Sequence, residues 1–295
     1  MPVWNRLDSD SSAVKNRSSP TLLHGVSQRV RLEPVLGPAE GRELLQDVLL
    51  GAVSILQTPE STVTVQDVSA EMIEYELSYS VVDLGAVDRA RDEVFDRVYR
   101  AVRAAGIRFA PRLNRLSGGR PGRRAVTNTA RHILQSIPLF ATLTTKEKAT
   151  LCSDVRRRHY ERGEVLAKPG AILSALGIVS RGVLVASIEN DGRNTNLLRF
   201  GPGDYFGEHS LLTGEPLKVQ ISALTPAVVY EVSKDALAPL FKARPELVEE
   251  LSASVIQRRE LAKQVNGGLQ HGPDPPQNTE IRWLANRIRQ LFRLH

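Results

Sequence analysis

The chain has 295 residues, 41% hydrophobic and 24% charged, and it carries a formal net charge of +6. This composition excludes wholesale disorder, and the length allows two ordinary domains with separate cores. The single cysteine, Cys152, excludes an internal disulfide and a multi-cysteine zinc site. The positive charge is spread over separate arginine clusters, so it gives only weak support for a nucleic-acid or membrane partner.

Targeting and membrane-spanning segments are not predicted. The N-terminus lacks the basic start and apolar core of a signal peptide. No window offers about 18 consecutive apolar residues, which a helix needs to cross a bilayer. We therefore expect a chain without a transmembrane segment.

The first third of the chain predicts two helices and three strands. Residues 1–22 are rich in serine, asparagine and charge, and we expect them to be irregular. Apolar residues alternate from Val26, which predicts a strand, and Pro38 begins a helix. Two alternating strands follow, and a second helix over residues 87–105 ends before Gly106. The apolar stripe predicted for the first helix consists of Leu44, Leu45, Val48, Leu49, Ala52 and Val53.

The order strand, helix, strand, strand, helix is typical of a small α+β sandwich with ferredoxin-like packing. Three segments also resemble the cytoplasmic α/β domain of small-conductance mechanosensitive channels, namely Asn16–Pro20, Glu71–Tyr79 and Ala105–Pro111. The resemblance implies a mechanosensitive-channel-like domain over residues 23–113. Generic ferredoxin-like packing, which many unrelated proteins share, is the alternative interpretation.

Glycine and proline mark the next boundary. Residues 114–128 combine both with arginine, which predicts a solvated linker. Over residues 129–265, short apolar strands are separated by glycines about ten residues apart, which predicts an antiparallel β jelly roll with flanking helices. Asn190-Asp191-Gly192 predicts a tight turn between two of these strands. The spaced glycines are Gly163, Gly170, Gly182, Gly192, Gly201 and Gly203.

The run from Arg199 to Pro216 resembles the phosphate-binding cassette of cyclic-nucleotide-binding domains. The resemblance implies cAMP or cGMP as the ligand, with Glu208 accepting a hydrogen bond from the ribose and Gly207 permitting close backbone approach. A short helix after Gly207 would direct its backbone N–H groups at the cyclic phosphate. His209 could donate to the ligand or pack, and packing is favoured. Ser210 could contact the phosphate or satisfy the local backbone.

One position departs from the family. The family places an arginine for the phosphate directly after the proline, whereas this chain has Leu217. Leucine cannot replace a bidentate guanidinium, and its presence should weaken phosphate binding about a hundredfold. Lys218 should point away from the pocket, because adjacent side chains of an extended segment face opposite sides. The predicted ligand-binding residues are Phe206, Gly207, Glu208, His209, Ser210, Leu217, Lys218 and Gln220.

The sequence after the jelly roll predicts a second Gly/Pro-rich linker over residues 266–279 and a basic amphipathic helix over residues 280–295. The helix could lie on an anionic membrane, where Trp283 suits the interface, or its apolar face could pack within the protein or against a sister subunit. Packing is favoured.

The two resemblances together imply the cytoplasmic regulatory portion of a mechanosensitive-type ion channel, at the inner face of the cell membrane. Its partners would be channel subunits or further copies of the chain. The alternative is a ligand-blind assembly module with a degenerate cassette. A transcription regulator is rejected because too few residues follow the jelly roll for a helix-turn-helix, so we expect no nucleic-acid partner. No nucleophile and base pair or metal-ligand cluster stands out, so we predict neither an enzyme nor a metal cofactor.

Overall fold

A computed structural model describes residues 23–110, 129–190, 193–265 and 277–293. The predicted irregular segment at residues 1–22, the turn at Asp191-Gly192, the first linker and most of the second lie outside the described residues. The chain divides into two units, Met1–Tyr99 with Ile107–Ala125, and Arg100–Gly106 with Val126–His295. Among the described helices, none is long and apolar enough to cross a membrane.

The N-terminal elements form a three-stranded antiparallel sheet with two helices. Val26, Val30 and Leu77 lie on the buried face of the sheet, whereas Ser27 on the opposite face donates a hydrogen bond to Glu76 at 2.8 Å. This alternation follows the polar and apolar pattern of the strands. The elements are β1 (His24–Leu32), α1 (Pro38–Gly51), β2 (Thr62–Val68), β3 (Ile73–Val81) and α2 (Val87–Ala104), with the strand order β1-β3-β2.

Helix α1 ends earlier than its predicted apolar stripe. Gly51 is its last residue; Ala52 is already extended, although it packs in the core, and Val53 is exposed. The backbone N–H groups of Val53 and Ser54 donate to the carboxylate of Glu93, at 3.0 and 2.7 Å, and not to helical carbonyls. The low helix propensity of glycine and this distant acceptor together end the helix, so the prediction for Ala52 and Val53 is wrong.

The jelly roll predicted for the second unit is confirmed. Two antiparallel four-stranded sheets have the strand orders β5-β10-β7-β8 and β4-β11-β6-β9. One apolar cluster joins the sheets and includes Val179 and Val229 from one, and Leu184 and Ile221 from the other. The strands are β4 (Arg156–Tyr160), β5 (Val165–Ala167), β6 (Ala175–Arg181), β7 (Leu184–Asn190), β8 (Arg193–Phe200), β9 (Tyr205–Phe206), β10 (Gln220–Ala223) and β11 (Ala227–Ser233).

The helices of this unit pack in a second apolar cluster. Leu176 and Ile178 of β6 join it, so β6 contributes its two faces to two different clusters. Leu134, Phe241 and Leu251 are fully or almost fully buried there. The helices are α3 (Thr129–Ser136), α4 (Thr145–Asp154), α5 (Glu208–Thr213), α6 (Lys234–Ala243), α7 (Glu246–Val265) and α8 (Gln277–Phe292).

The C-terminal helix α8 packs within the second unit. It begins at Gln277, three residues before the predicted start, because the helix breakers end at Pro276. Ile288 is fully buried, and the ring of Phe292 meets Phe241 edge-on with 4.8 Å between centroids. Trp283 faces outward and is 51% exposed. The apolar face therefore packs in the protein core and is not available to a membrane in this arrangement.

Replacing Glu93 with glutamine should destabilise the end of α1. Burial by itself raises the pKa of Glu93, but the charge of Arg97 and the hydrogen bonds from Ser54 and Val53 outweigh it, so the pKa is lowered. A lowered pKa means that the carboxylate stabilises the fold at neutral pH and that this stabilisation is lost as the pH falls through the acid range. Glu93→Gln should lower the free energy of unfolding at pH 7 by about 1–3 kcal/mol and flatten its acid dependence.

Urea titrations at neutral and acid pH, followed by hydrogen exchange of peptides over residues 38–55, measure both effects. Asp88→Asn is the matched control, because the Asp88 side chain is 92% exposed and lies 3.7 Å from Arg91. We expect no measurable change for the control. Equal effects of the two substitutions would contradict the special role of Glu93.

Candidate ligand-binding site

Phe206 is a buried aromatic residue directly before the turn of the candidate site. It pairs with Gly177 across strands β9 and β6. A Cβ atom at Gly177 would lie 2.2 Å from Cζ of Phe206, so glycine on the facing strand makes room for the ring. The ring also contacts Phe200, with 5.6 Å between centroids and 46° between the ring planes. The ring of Phe206 thus packs in the interior apolar cluster, with Phe200 against it, directly before the cassette turn.

Gly207 turns the chain from β9 into α5. Its φ is +85°, a left-handed conformation that glycine adopts without strain. The side chain of Leu173 lies close by, because a Cβ atom at Gly207 would be 2.7 Å from Cδ1 of Leu173. Glu208 follows as the first residue of α5 and is half-buried. The short helix that the sequence predicts after Gly207 is therefore present, with six residues.

The hydroxyl group of Ser210 holds two loops together. It accepts the backbone N–H of Leu173 at 2.9 Å and donates to the carbonyl of Glu215 at 2.7 Å. The Ser210 side chain is almost fully buried. Of the two roles considered for Ser210, the geometry matches the local backbone role. Thr213 adds a third contact, since its Oγ1 accepts the N–H of Glu215 at 3.1 Å.

The prediction that His209 packs is wrong. Its side chain is 49% exposed, and Nε2 lies 3.0 Å from Oε2 of Glu215. The outcome follows from the helical turn of α5, which buries Ser210 and Leu211 and leaves His209 on the outer side. Sequence reasoning missed Glu215, which was not among the predicted site residues. The available signal was an acidic residue directly before Pro216, within the segment that resembles the cassette.

Leu217 is fixed by its backbone and packs into the apolar cluster. Its N–H donates to the carbonyl of Ala171 at 2.8 Å, and its carbonyl accepts the N–H of Gly170 at 2.8 Å. The side chain is half-buried and packs against the cluster that contains Phe206. Lys218 is exposed, in line with the alternation of an extended segment. Gln220 begins β10 and is half-buried.

The end of the cassette helix contacts α8. Nε of Arg287 donates to the carbonyl of Thr213 at 2.8 Å. A methyl group of Leu291 lies above Gly214, where a Cβ atom would be 3.3 Å from Cδ1. A movement of α5 therefore changes contacts made by the C-terminal helix.

Charge in the cassette is predominantly negative. Between residues 206 and 220 the sequence contains two glutamates, Glu208 and Glu215, and one lysine, Lys218, besides His209. Because Lys218 is exposed, its ammonium group can remain in water. In the part of the chain that the structure describes, no group of three or more His, Cys, Asp and Glu side chains could hold a metal ion.

The site belongs to a recognised domain class. Residues 157–244 match the family model of the cyclic nucleotide-binding domain. The match includes the two aromatic rings, the cassette helix and Leu217. The chain therefore contains a cyclic nucleotide-binding domain, as its cassette predicts.

The chain is similar to parts of several known proteins. A cGMP-dependent protein kinase of Eimeria tenella is 30% identical over 107 residues, which cover 36% of this chain and 10% of the kinase. A cyclic nucleotide-gated potassium channel of Mesorhizobium japonicum is 25% identical over 130 residues, which cover 44% of this chain and 35% of the channel. The N-terminal domain of a transcriptional regulator from Streptomyces coelicolor A3(2) aligns with a TM-score of 0.40 and 27% identity, covering 48% of this chain and 99% of that domain. The matches thus span only 10% and 35% of the two curated relatives.

Removing the Ser210 hydroxyl should loosen the cassette. Ser210→Ala leaves the N–H of Leu173 and the carbonyl of Glu215 without their partner, which should lower the free energy of unfolding by about 1–3 kcal/mol. Urea denaturation measures this change, and hydrogen exchange at Leu173 localises it. Ser153→Ala is the matched control, because the exposed Ser153 hydroxyl bonds only within its own helix, to the carbonyl of Thr150 at 2.6 Å. The control should stay within about 0.5 kcal/mol of the wild type. Unchanged exchange at Leu173 in Ser210→Ala would contradict the bridging role.

Proposed function

We propose that this chain is the cytoplasmic regulatory portion of a mechanosensitive-type ion channel, and that its cyclic-nucleotide-binding domain senses cAMP, cGMP or a related ligand. The cassette is the observation that carries the proposal. Glu208 stands half-buried at the start of α5, directly after the left-handed turn at Gly207. A carboxylate in this position can accept hydrogen bonds from the hydroxyl groups of a ribose.

The channel assignment is supported by residues 23–113. Their strand, helix, strand, strand, helix order agrees with a ferredoxin-like α/β domain, and we assign residues 23–113 to a mechanosensitive-channel-like domain on the sequence resemblance. Residues 129–265 are assigned to the nucleotide-binding domain. Relatives from Mesorhizobium japonicum and Rhizobium etli are cyclic nucleotide-gated potassium channels, which supports a channel context. In this context the chain lies at the inner face of the cell membrane, with channel subunits or further copies as partners.

Contacts within the second unit supply a route for the signal. A ligand that binds Glu208 acts on the first turn of α5, and the last turn of the same helix bonds to Arg287 of α8. Helix α8 in turn pairs Arg289 with Glu249 of α7 at 2.7 Å. A ligand can shift an equilibrium only by its differential affinity for two arrangements. In this proposal the two arrangements differ in how α5 meets α8.

A ligand-blind assembly module is the second candidate function. Leu217 favours it, because the residue fills with apolar atoms the position where the family has its phosphate-binding arginine. In such a module the jelly roll would be kept for its packing surfaces, and Glu208 would have no ligand.

A channel fusion distinguishes the two functions. The chain replaces the cytoplasmic end of a mechanosensitive channel, and patch-clamp recording at fixed membrane tension follows the current while cyclic nucleotides and nucleosides are applied to the cytoplasmic side. The current should change with at least one of these ligands, and Glu208→Ala should abolish the change. Glu246→Ala is the matched control, since this glutamate has a 62% exposed side chain on α7 and should preserve the response.

A wild-type fusion whose current ignores every ligand would contradict the sensing function in a channel. Calorimetry on the same protein then separates two explanations. Ligand binding without a current response would contradict the channel coupling, whereas the absence of binding would favour the assembly module.

A further inference from the structure

The cassette has an apolar wall formed by the side chain of Leu217, and hydrogen bonds fix the backbone of this residue. Leu217 packs against the same cluster as Leu173, Phe200 and Phe206. Both backbone groups of Leu217 are bonded to the segment Gly170-Ala171, each at 2.8 Å. These bonds fix the direction of the side chain, so the exposed Lys218 cannot take its place without breaking them. A ligand that enters the cassette therefore meets leucine where a guanidinium group would otherwise stand.

Between residues 206 and 220 the one lysine, Lys218, is exposed, and the ring of His209 lies against Glu215. A cyclic nucleotide carries one negative charge on its phosphodiester, and the cassette already contributes the carboxylates of Glu208 and Glu215. Burying an anion without a cationic partner costs free energy, because the lost hydration is not replaced. An uncharged ligand avoids this cost.

The hydroxyl group of Ser210 does not compensate for the leucine. A serine hydroxyl has one proton to donate, and Ser210 donates it to the carbonyl of Glu215 at 2.7 Å. Turning this proton toward a phosphate oxygen would leave the Glu215 carbonyl without its bond. The side chain is also almost fully buried behind the N–H of Leu173, which bonds to it at 2.9 Å. Neither Ser210 nor Leu217 thus provides a donor for a phosphate.

We propose that the cassette selects an uncharged nucleoside over the corresponding cyclic nucleotide, an inference that rests on the proposed ligand-sensing function. A nucleoside keeps the ribose hydroxyl groups that suit the carboxylate of Glu208. It also keeps the flat base that the corresponding cyclic nucleotide carries. Its neutral hydroxymethyl group takes the place of the charged phosphate beside Leu217.

Calorimetric titration of the full chain with adenosine, guanosine, cAMP and cGMP tests the inference. At least one nucleoside should bind about tenfold or more tightly than its own cyclic nucleotide. Leu217→Arg should reverse this order, because the guanidinium group offers bidentate donors to the phosphate. Lys218→Arg is the matched control. It introduces the same group one residue along, on the exposed side, and should leave the order unchanged.

The outcomes separate this inference from the function on which it rests. Tighter binding of cAMP or cGMP than of the nucleosides to the wild type would overturn the nucleoside preference and leave ligand sensing intact. If the wild type binds none of the four probes, both the nucleoside preference and the ligand-sensing function are overturned. If Leu217→Arg and Lys218→Arg changed the order of affinities equally, Leu217 would not be the residue that determines the ligand preference. If Leu217→Arg fails to fold, the wild-type order still decides, and Leu217→Met, which keeps the apolar volume, should retain the nucleoside preference.

Discussion

The hydrogen bonds of the buried Ser210 hydroxyl are the constraint on which the candidate site depends. Through them one side chain of α5 fixes both the loop before β6, at Leu173, and the loop after α5, at Glu215. The position of Leu217 follows, because it lies two residues beyond Glu215. Its backbone also bonds to Gly170 and Ala171, which lie just before Leu173. The cassette therefore consists of a short helix with the loops before β6 and after α5 bonded to each other through it. The packing of these loops, as well as the sequence motif, determines which side chains line the cassette.

The domain keeps the fold of a cyclic-nucleotide-binding domain but lacks the arginine with which the family binds the phosphate. The glycine turn and the carboxylate of Glu208 are compatible with a nucleoside-shaped ligand. The phosphate end differs, since the apolar side chain of Leu217 occupies it. Because a guanidinium pair with a phosphate is strong and directional, exchanging it for leucine changes which ligand is preferred and leaves the fold intact.

The sequence predicts the features that depend on residues close together in the chain. Spaced glycines and alternating apolar residues indicate the jelly roll, and the cassette motif locates the turn at Gly207 and the helix after it. Contacts between segments that lie far apart in the chain could not be predicted from the sequence. Glu93 receives the N–H groups of Val53 and Ser54 from about 40 residues away, and Arg287 reaches Thr213 across 74 residues. The contact between His209 and Glu215 joins residues only six positions apart, and it depends on how the loop after α5 turns back.

Hydrogen exchange of the full chain with and without saturating adenosine tests the central claim most directly. The claim is that an uncharged ligand occupies the cassette and that α5 passes its effect to α8. We predict slower exchange in peptides over residues 170–173 and 208–217, together with a change over residues 281–293. Adenosine that leaves all three regions unchanged, at concentrations where cAMP protects the cassette, would contradict the account.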